Sequence, residues 1–345
     1  MPTIKEIAQL AESSISSVSR VINNSGYVGE EARKRIQKVL DETGYRPNAL
    51  AKALHSKRSQ TIGVILPKIN ATSSGENIAG IDQYYADKGY SIILGNTNHS
   101  VDKEVEFLDL FAEKQVDGII LIATTITPEH EAKIKKLRVP LVVMGQTATD
   151  GSPSVLFDEI SAAKDMMAHL VALNHQRIAF IGVSELDISV GQKRKQGYLE
   201  SLAAHGMQAK PEWMSIGDFS VESGYKACET IFTNSQTKPD SIFAVNDKMA
   251  IGAINYLLEN GYRVPQDISV CGVGGGAMSA YYNPKITSLV YDFHESGRMA
   301  AELLHGLIEK TQTIAKNHIS FVPYSLAKRD STKQKSTEQK STEQK

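Results

Sequence analysis

From Thr61 onward the chain alternates short apolar runs with amphipathic stretches, and this constrains its fold more than any other feature. The runs at 61–66, 91–94, 118–122, 141–144, 177–181, 242–245 and 269–273 read as strands. The stretches at 103–112, 162–173, 194–205, 222–232, 248–260 and 295–308 repeat their apolar residues at helical spacing. Strand–helix–strand alternation builds parallel sheets covered by helices on both faces. Roughly 270 residues of it is much for one sheet, so two α/β lobes are expected. Ligands of such folds bind beyond the carboxyl ends of the strands, here in the cleft between lobes.

The first 46 residues follow a different rule. Thr3 and Glu6 have the spacing of a capping box, followed by Ile4, Ile7, Ala8 and Ala11 on one helical face. A tight connection at Glu12 and Ser13 leads to a second helix that Ser14 can cap, with Ile15, Val18 and Ile22 as its apolar residues. A third helix from about Glu30 to Thr43 buries Ile36, Val39 and Leu40 and stops at Gly44. Two helices joined by a short turn and braced by a third make a helix-turn-helix. Residues 47–60 form a linker in which Asn48 can cap about one and a half turns of helix. Alone in water so short a helix should not hold, so it is expected to form only when docked.

Charge separates the same regions. Residues 1–58 carry ten Lys and Arg against six acids, a net of +4, which leaves about −5 for the rest of a chain whose formal net charge is −1. A basic head on a mildly acidic body suits a nucleic-acid partner for the head alone. Cys228 and Cys271 lie far apart, which argues against a disulfide scaffold, a zinc knuckle or a CxxC pair and suits a reducing, cytoplasmic setting. No apolar run approaches the roughly 20 residues of a membrane span, and the N-terminus has no apolar signal stretch. Residues 330–345 repeat a five-residue unit, STKQK, STEQK, STEQK, without an apolar residue, and are expected to be disordered. They also lack the apolar seam of a coiled coil.

Three segments of the head, Thr3-Ile4-Lys5-Glu6-Ile7-Ala8, Ser17-Val18-Ser19-Arg20-Val21-Ile22-Asn23 and Tyr45-Arg46-Pro47-Asn48, resemble the headpiece of the LacI/GalR repressors. The resemblance continues through Thr61-Ile62-Gly63-Val64, Val116-Asp117-Gly118-Ile119-Ile120, Arg177-Ile178-Ala179-Phe180-Ile181-Gly182, Asn246-Asp247-Lys248-Met249-Ala250-Ile251-Gly252 and Val264-Pro265-Gln266-Asp267-Ile268-Ser269. It implies an all-α helix-turn-helix headpiece, a hinge helix and a two-lobed periplasmic-binding-protein-like α/β core of parallel sheets. It also implies a homodimer on double-stranded operator DNA, with no cofactor or metal. The implied divisions are a DNA-binding domain at 1–46, a hinge and linker at 47–60, and an effector-binding and dimerisation core at 61–329. Within the core, one lobe is expected at about 61–159 and 290–319, the other at 160–289 and 320–329.

Carried onto matching positions, the family pattern has Ile15, Ser16 and Arg20 facing bases, and Ser14, Ser17, Ser19 and Asn23 near phosphates. Thr3, Ile4, Asn48 and Lys52 complete the DNA-contacting set, and Leu54 matches the apolar wedge that enters the minor groove. Small hydroxyls can grip phosphate and Arg20 can contact guanine bidentately. Glu12 and Ser13 stand where the family often has Gly-Val, and Gly29 replaces a polar cap of the third helix.

For the core, the family pattern points to Arg194, ahead of Gly197-Tyr198, and to Asn246 or Asp247 at a strand end as effector contacts. The acids that often follow the strand at 269–273 are missing; Gly272-Val273-Gly274-Gly275-Gly276-Ala277 stands there instead. That run matches a dinucleotide fingerprint, but Pro284 leaves little room for the helix the fingerprint needs, so the glycines are expected to let backbone approach a ligand. Lost acids beside a retained Lys193-Arg194-Lys195 favour an anionic effector. Within the family the core most resembles repressors of trehalose operons, through Glu76, Asn77, Asp187, Lys193, Arg194 and Lys68, and so implies trehalose 6-phosphate. Sucrose 6-phosphate, a free sugar, or a corepressor-dependent or global carbon regulator remain alternatives. Gly274 completes the expected effector set. No P-loop, G-x-S-x-G or HExxH sequence points to an enzyme.

Overall fold

The computed structural model describes residues 2–45, 58–311 and 314–335. It divides into two compact units, one up to Gln60 and one from Thr61 onward. The first unit holds α1 (Ile4–Leu10), α2 (Ile15–Ile22) and α3 (Glu30–Thr43). The Thr3–Glu6 capping box is present, Ser14 caps α2 by accepting the Ser17 amide, and Gly44 ends α3 in the left-handed conformation. Gly29 precedes α3 without a side-chain cap. The turn closes differently from a glycine turn: Glu12 adopts φ +46°, and the Ser13 amide bonds Ala8 O at 2.9 Å. Ile7, Ala8, Ala11, Val18, Val21 and Ile36 form the small core. Val21 is buried and Ile22 only flanks the core, while Ile15 is 48% exposed, which corrects the expected apolar face of α2. The hinge positions Asn48, Lys52 and Leu54 lie outside the described residues.

The second unit contains two six-stranded sheets. The first is made of β1 (Thr61–Leu66), β2 (Ser91–Asn96), β3 (Gly118–Ile122), β4 (Leu141–Met144), β5 (Ser154–Leu156) and β11 (Ile319–Phe321), in the order β11-β5-β4-β3-β1-β2. The second is made of β6 (Ile178–Val183), β7 (Met214–Gly217), β8 (Ser241–Ala244), β9 (Ser269–Gly274), β10 (Thr287–Tyr291) and β12 (Tyr324–Ala327), in the order β12-β10-β9-β8-β6-β7. All pairings are parallel except β10 with β12. β1, β3 and β4 are buried on both faces, which is why they read as continuous apolar runs rather than alternating ones. The chain passes between sheets after β5, after β10 and after β11, so the second and third crossings fall a residue or two later than expected.

The first sheet carries α4 (Thr72–Tyr85), α5 (Val101–Glu113), α6 (Pro128–Ile134) and α12 (Phe293–Glu309); the second carries α7 (Glu159–Ala172), α8 (Arg194–Ala204), α9 (Val221–Asn234), α10 (Asp247–Glu259) and the short α11 (Ala277–Tyr281). Helices α4 and α12 touch backbone to backbone. A Cβ at Gly80 would lie 2.0 Å from His294 O, and one at Gly297 2.0 Å from Asn77 O.

One expectation is overturned. Residues 331–335, assigned to a disordered tail, lie on the second lobe, with Ser331 fully buried and bonded to β9 and β10. Hydroxyl and lysine contacts hold them where no apolar burial could. Residues 336–345 lie outside the described residues.

Candidate functional site

The head presents one polar helix face. Ser14 Oγ lies 2.8 Å from Ser16 Oγ and 2.9 Å from Ser17 Oγ, so three hydroxyls cluster at the start of α2. A helix N-terminus also exposes amides that favour anions. Ile15, Ser16, Arg20 and Asn23 are exposed along α2, and Asn23 Nδ2 donates to Ser19 Oγ at 3.3 Å. Thr3 is exposed and Ile4 half-buried at the start of α1. An exposed isoleucine among hydroxyls and an arginine suits a groove that offers both methyl groups and acceptors. Sequence reading missed Tyr27, 87% exposed on the loop after α2.

In the second unit Lys68, Asp187, Asn246, Asp247 and Gly274 lie at or just beyond the carboxyl ends of β1, β6, β8 and β9, while Glu76 and Asn77 lie on α4 and Arg194 opens α8. Asp187 caps the π-helical segment Ile188–Lys193 by accepting the Val190 amide at 2.8 Å, and burial raises its carboxyl above the ordinary range. Phe219, after β7, stacks on His99, after β2, with ring planes 4° apart and centroids 6.5 Å apart. Both residues have left-handed backbone, φ +71° and +62°. Such conformations are uncommon for bulky side chains and cluster at functional sites. Gln146 Nε2 reaches Ser189 Oγ and Thr124 O, each at 3.0 Å, which joins the lobes beside Asp187. Neither the aromatic pair nor Gln146 was singled out from sequence. The positions just beyond successive strand ends were the available signal.

Arg194 does not stand free. It is 6% exposed, its Nε donates to Glu159 Oε2 at 2.7 Å, its Nη2 to Glu159 Oε1 at 3.0 Å, and its Nη1 to Val245 O. Burial opposes its charge, but Glu159 outweighs this and holds the guanidinium above its ordinary value. Tyr291 Oη also donates to Glu159 Oε2, at 2.6 Å. Lys195 pairs with Glu185 at 2.5 Å, and Lys193 is half-buried at the end of the π segment. Two members of the basic triplet, Arg194 and Lys195, therefore answer protein carboxylates.

The glycine run serves Asp247. The Gly275 amide donates to Asp247 Oδ2 at 2.7 Å, and Ser288 Oγ donates to Oδ1 at 2.6 Å. Gly274 and Gly275 have φ +129° and +71°, and a Cβ at Gly272 would sit 2.6 Å from Asp247 Oδ1. Both carboxylate oxygens are thus engaged, and burial raises this carboxyl too. Helix α11 has five residues, too few for a dinucleotide-binding helix. Asn246 caps α10 by accepting the Met249 amide at 2.7 Å, while its Nδ2 donates to Phe219 O at 3.1 Å. Lys68 is exposed after β1; the Asp218 carboxyl, after β7, is lowered chiefly by Ser220 and Ser223 and least by the charge of Lys68. Glu76 is exposed on α4; Asn77 is buried, with its Oδ1 lacking a hydrogen-bond partner among the described residues.

Comparison with known proteins agrees with this division. Residues 3–48 match the model for bacterial regulatory proteins of the lacI family, and residues 167–332 match a periplasmic binding protein-like domain. A catabolite control protein A from Priestia megaterium is 34% identical over 96% of this chain and 99% of its own length. A transcriptional repressor PurR from Aliivibrio salmonicida is 30% identical over 88% and 91%. The lac repressor dimer bound to operator and the anti-inducer ONPF superposes with a TM-score of 0.86 at 26% identity, covering 96% of this chain and 99% of that one. These relatives are regulators rather than enzymes, and they do not carry the narrower expected likeness to trehalose-operon repressors. Among the described residues no helix is long and apolar enough to cross a membrane. With both modules on one chain and relatives matched along nearly their whole length, this protein belongs to the lacI family of bacterial regulatory proteins.

Proposed function

We propose that this chain is a cytoplasmic, homodimeric repressor that binds operator DNA through its head and responds to a small sugar in the cleft of its core. The observation that carries the DNA half is the exposed Ile15–Ser16–Arg20 face of α2 beside the Ser14–Ser16–Ser17 hydroxyl cluster. A palindromic operator calls for a two-fold dimer, and the operator-bound lac repressor dimer supports that reading by likeness.

For the effector, the cleft favours a neutral, hydroxyl-rich ligand. Its arginine is already paired with Glu159, while Asp187 keeps carboxylate oxygen for sugar hydroxyls. The Phe219 ring offers an apolar face to a sugar ring. Likeness to the regulator CelR in complex with cellobiose, with a TM-score of 0.72 at 26% identity, supports a disaccharide. A phosphorylated disaccharide such as trehalose 6-phosphate is the second reading, favoured by exposed Lys68 and half-buried Lys193.

The test is isothermal titration of the full chain with cellobiose, trehalose and their 6-phosphates, at two salt concentrations. The neutral reading predicts binding of a free sugar with little salt dependence. Binding of the phosphates alone, weakened by salt, would reverse the order of the two readings. The DNA half is tested separately: affinity for a selected operator should fall steeply with salt, because phosphate contacts release counterions.

A further inference from the structure

The one segment whose order the sequence did not announce, 331–335, sits in a groove built of buried polar groups. Ser331 Oγ donates to Val270 O at 2.5 Å and accepts the Thr287 amide at 2.8 Å, while its own amide and carbonyl bond Lys285 O and the Val270 amide at 2.9 and 2.8 Å. Thr332 Oγ1 lies 2.8 Å from Thr287 Oγ1 and 3.1 Å from His169 Nε2. Lys333 contributes only backbone: its amide donates to Ser269 Oγ at 3.1 Å, and its carbonyl accepts from His175 Nε2 at 3.1 Å. Gln334 is exposed. The Lys335 ammonium donates to Asp240 Oδ2 at 2.7 Å, and His175 Nδ1 lies 3.2 Å from Asp240 Oδ1. Asp240, His175, Ser269 and Thr287 are all buried.

The groove therefore reads side chains at three positions of five: serine, threonine and, three residues further, lysine. The sequence carries that pattern twice more, as Ser336-Thr337-Glu338-Gln339-Lys340 and Ser341-Thr342-Glu343-Gln344-Lys345. The copies differ from the docked one at a single position, Lys333 against Glu338 and Glu343, and there the groove uses backbone alone. We propose that this groove at the base of the second lobe is a recognition site for a Ser-Thr-x-x-Lys peptide, that residues 331–335 are its resident occupant, and that the two downstream copies are interchangeable with it, within one molecule or between two. The fit is one of hydrogen-bond geometry and a single buried charge. A peptide that lacks the leading serine takes a hydroxyl donor from Val270 O, and one that lacks the lysine takes from buried Asp240 its ammonium partner and leaves it to His175 and the amides of Gln176 and Arg177; lost bonds to buried polar groups are costly.

Four variants of the full chain test this by thermal unfolding. Lys333→Glu turns the docked copy into the downstream sequence and should leave the midpoint unchanged. Deleting 331–335, so that Ser336 follows Asp330, should also leave it unchanged, because the second copy then takes the groove. Changing Ser331, Ser336 and Ser341 together to alanine, or Lys335, Lys340 and Lys345 together to alanine, should each lower it, by on the order of 3–5 °C, because no copy then keeps the pattern. If Lys333→Glu or the deletion lowers the midpoint as far as the triple lysine change does, the copies are not interchangeable and the proposal fails. In trans, a labelled peptide of residues 336–345 is added to the chain ending at Asp330. It should bind and raise that chain's midpoint, whereas the same peptide with both lysines changed to alanine should not. Equal binding of the two peptides would overturn the lysine's role. Should that shortened chain not fold, the four full-chain comparisons still decide.

Discussion

Two residues show how local chemistry was diverted from its simplest reading. Glu12 closes the head's turn at φ +46°, where a Cβ costs roughly 1 kcal/mol and glycine costs nothing sterically. Glu12→Gly should therefore stabilise the isolated head by up to about 1 kcal/mol, less what glycine adds to the freedom of the unfolded chain. A chemical denaturation midpoint checks this, and a destabilised variant would mean that the side chain has a role of its own. Arg194 was legible as an expected effector contact, but its protein partner was not, because Glu159 lies 35 positions away. The pair changes what a mutation reports. Arg194→Ala strands Glu159 in the interior and should cost about 3–5 kcal/mol of core stability. Adding Glu159→Gln should recover much of that, since the two changes share one interaction. Strictly additive losses in a double-mutant cycle would mean that the two side chains act apart.

At the scale of elements, the sequence displayed most long helices and most central strands through periodicity, but not α4 (Thr72–Tyr85). It hid the edge strands β7, β11 and β12 and the inner β5, which have three or four residues and too little pattern, and it hid the five-residue β10. The contact between α4 and α12 was also hidden, since a glycine in a helix reads as a weak residue until its neighbour is known. Gly80→Ala drives a Cβ against His294 O and should lower stability by about 1–3 kcal/mol, seen as a fall in thermal midpoint. The segment 331–335 was misread for a physical reason. Disorder was inferred from missing apolar residues, whereas this segment docks through hydroxyls and a charge. That charge sets a pH window. Burial alone would raise the Asp240 carboxyl, but bonds from His175 and Lys335 outweigh it and hold the carboxyl well below its ordinary value near 3.9. A carboxyl lowered by folding stabilises above its unfolded value and loses that contribution as pH falls toward the folded one. The midpoint gap between wild type and Asp240→Asn should thus be constant from about pH 5 to 8 and shrink below about pH 4. A gap that instead closed between pH 6 and 8 would assign the effect to another group.

At the scale of the whole molecule, the architecture was readable because each level agreed: a basic head with capped short helices, then strand–helix alternation long enough for two sheets. The ligand was less readable, because cleft chemistry depends on which charges pair across the fold. Sequence showed a basic triplet and a glycine run. In three dimensions Arg194 and Lys195 answer Glu159 and Glu185, and the glycines let the backbone reach Asp247. A ligand moves such a molecule only through unequal affinity for its DNA-bound and free states. Strong release of DNA needs a large difference, on the order of 10⁴-fold for near-complete switching. Asp187 and Phe219 belong to loops of the second lobe, and through His99 and Gln146 that lobe touches the first. On the proposed reading, a ligand lodged there acts on a place where both lobes meet.

The most direct measurement is fluorescence anisotropy of a labelled operator duplex, saturated with the full chain and titrated with a free disaccharide, wild type beside Arg20→Ala and Asp187→Ala. The account predicts that wild type releases the duplex as sugar is added. Arg20→Ala should fail to bind the duplex from the start while still binding sugar, and Asp187→Ala should bind DNA normally and need at least about tenfold more sugar to let go. Arg20→Ala binding operator as tightly as wild type, or Asp187→Ala releasing it at the same sugar concentration, would contradict the assignment of reading to the α2 face and of control to the cleft.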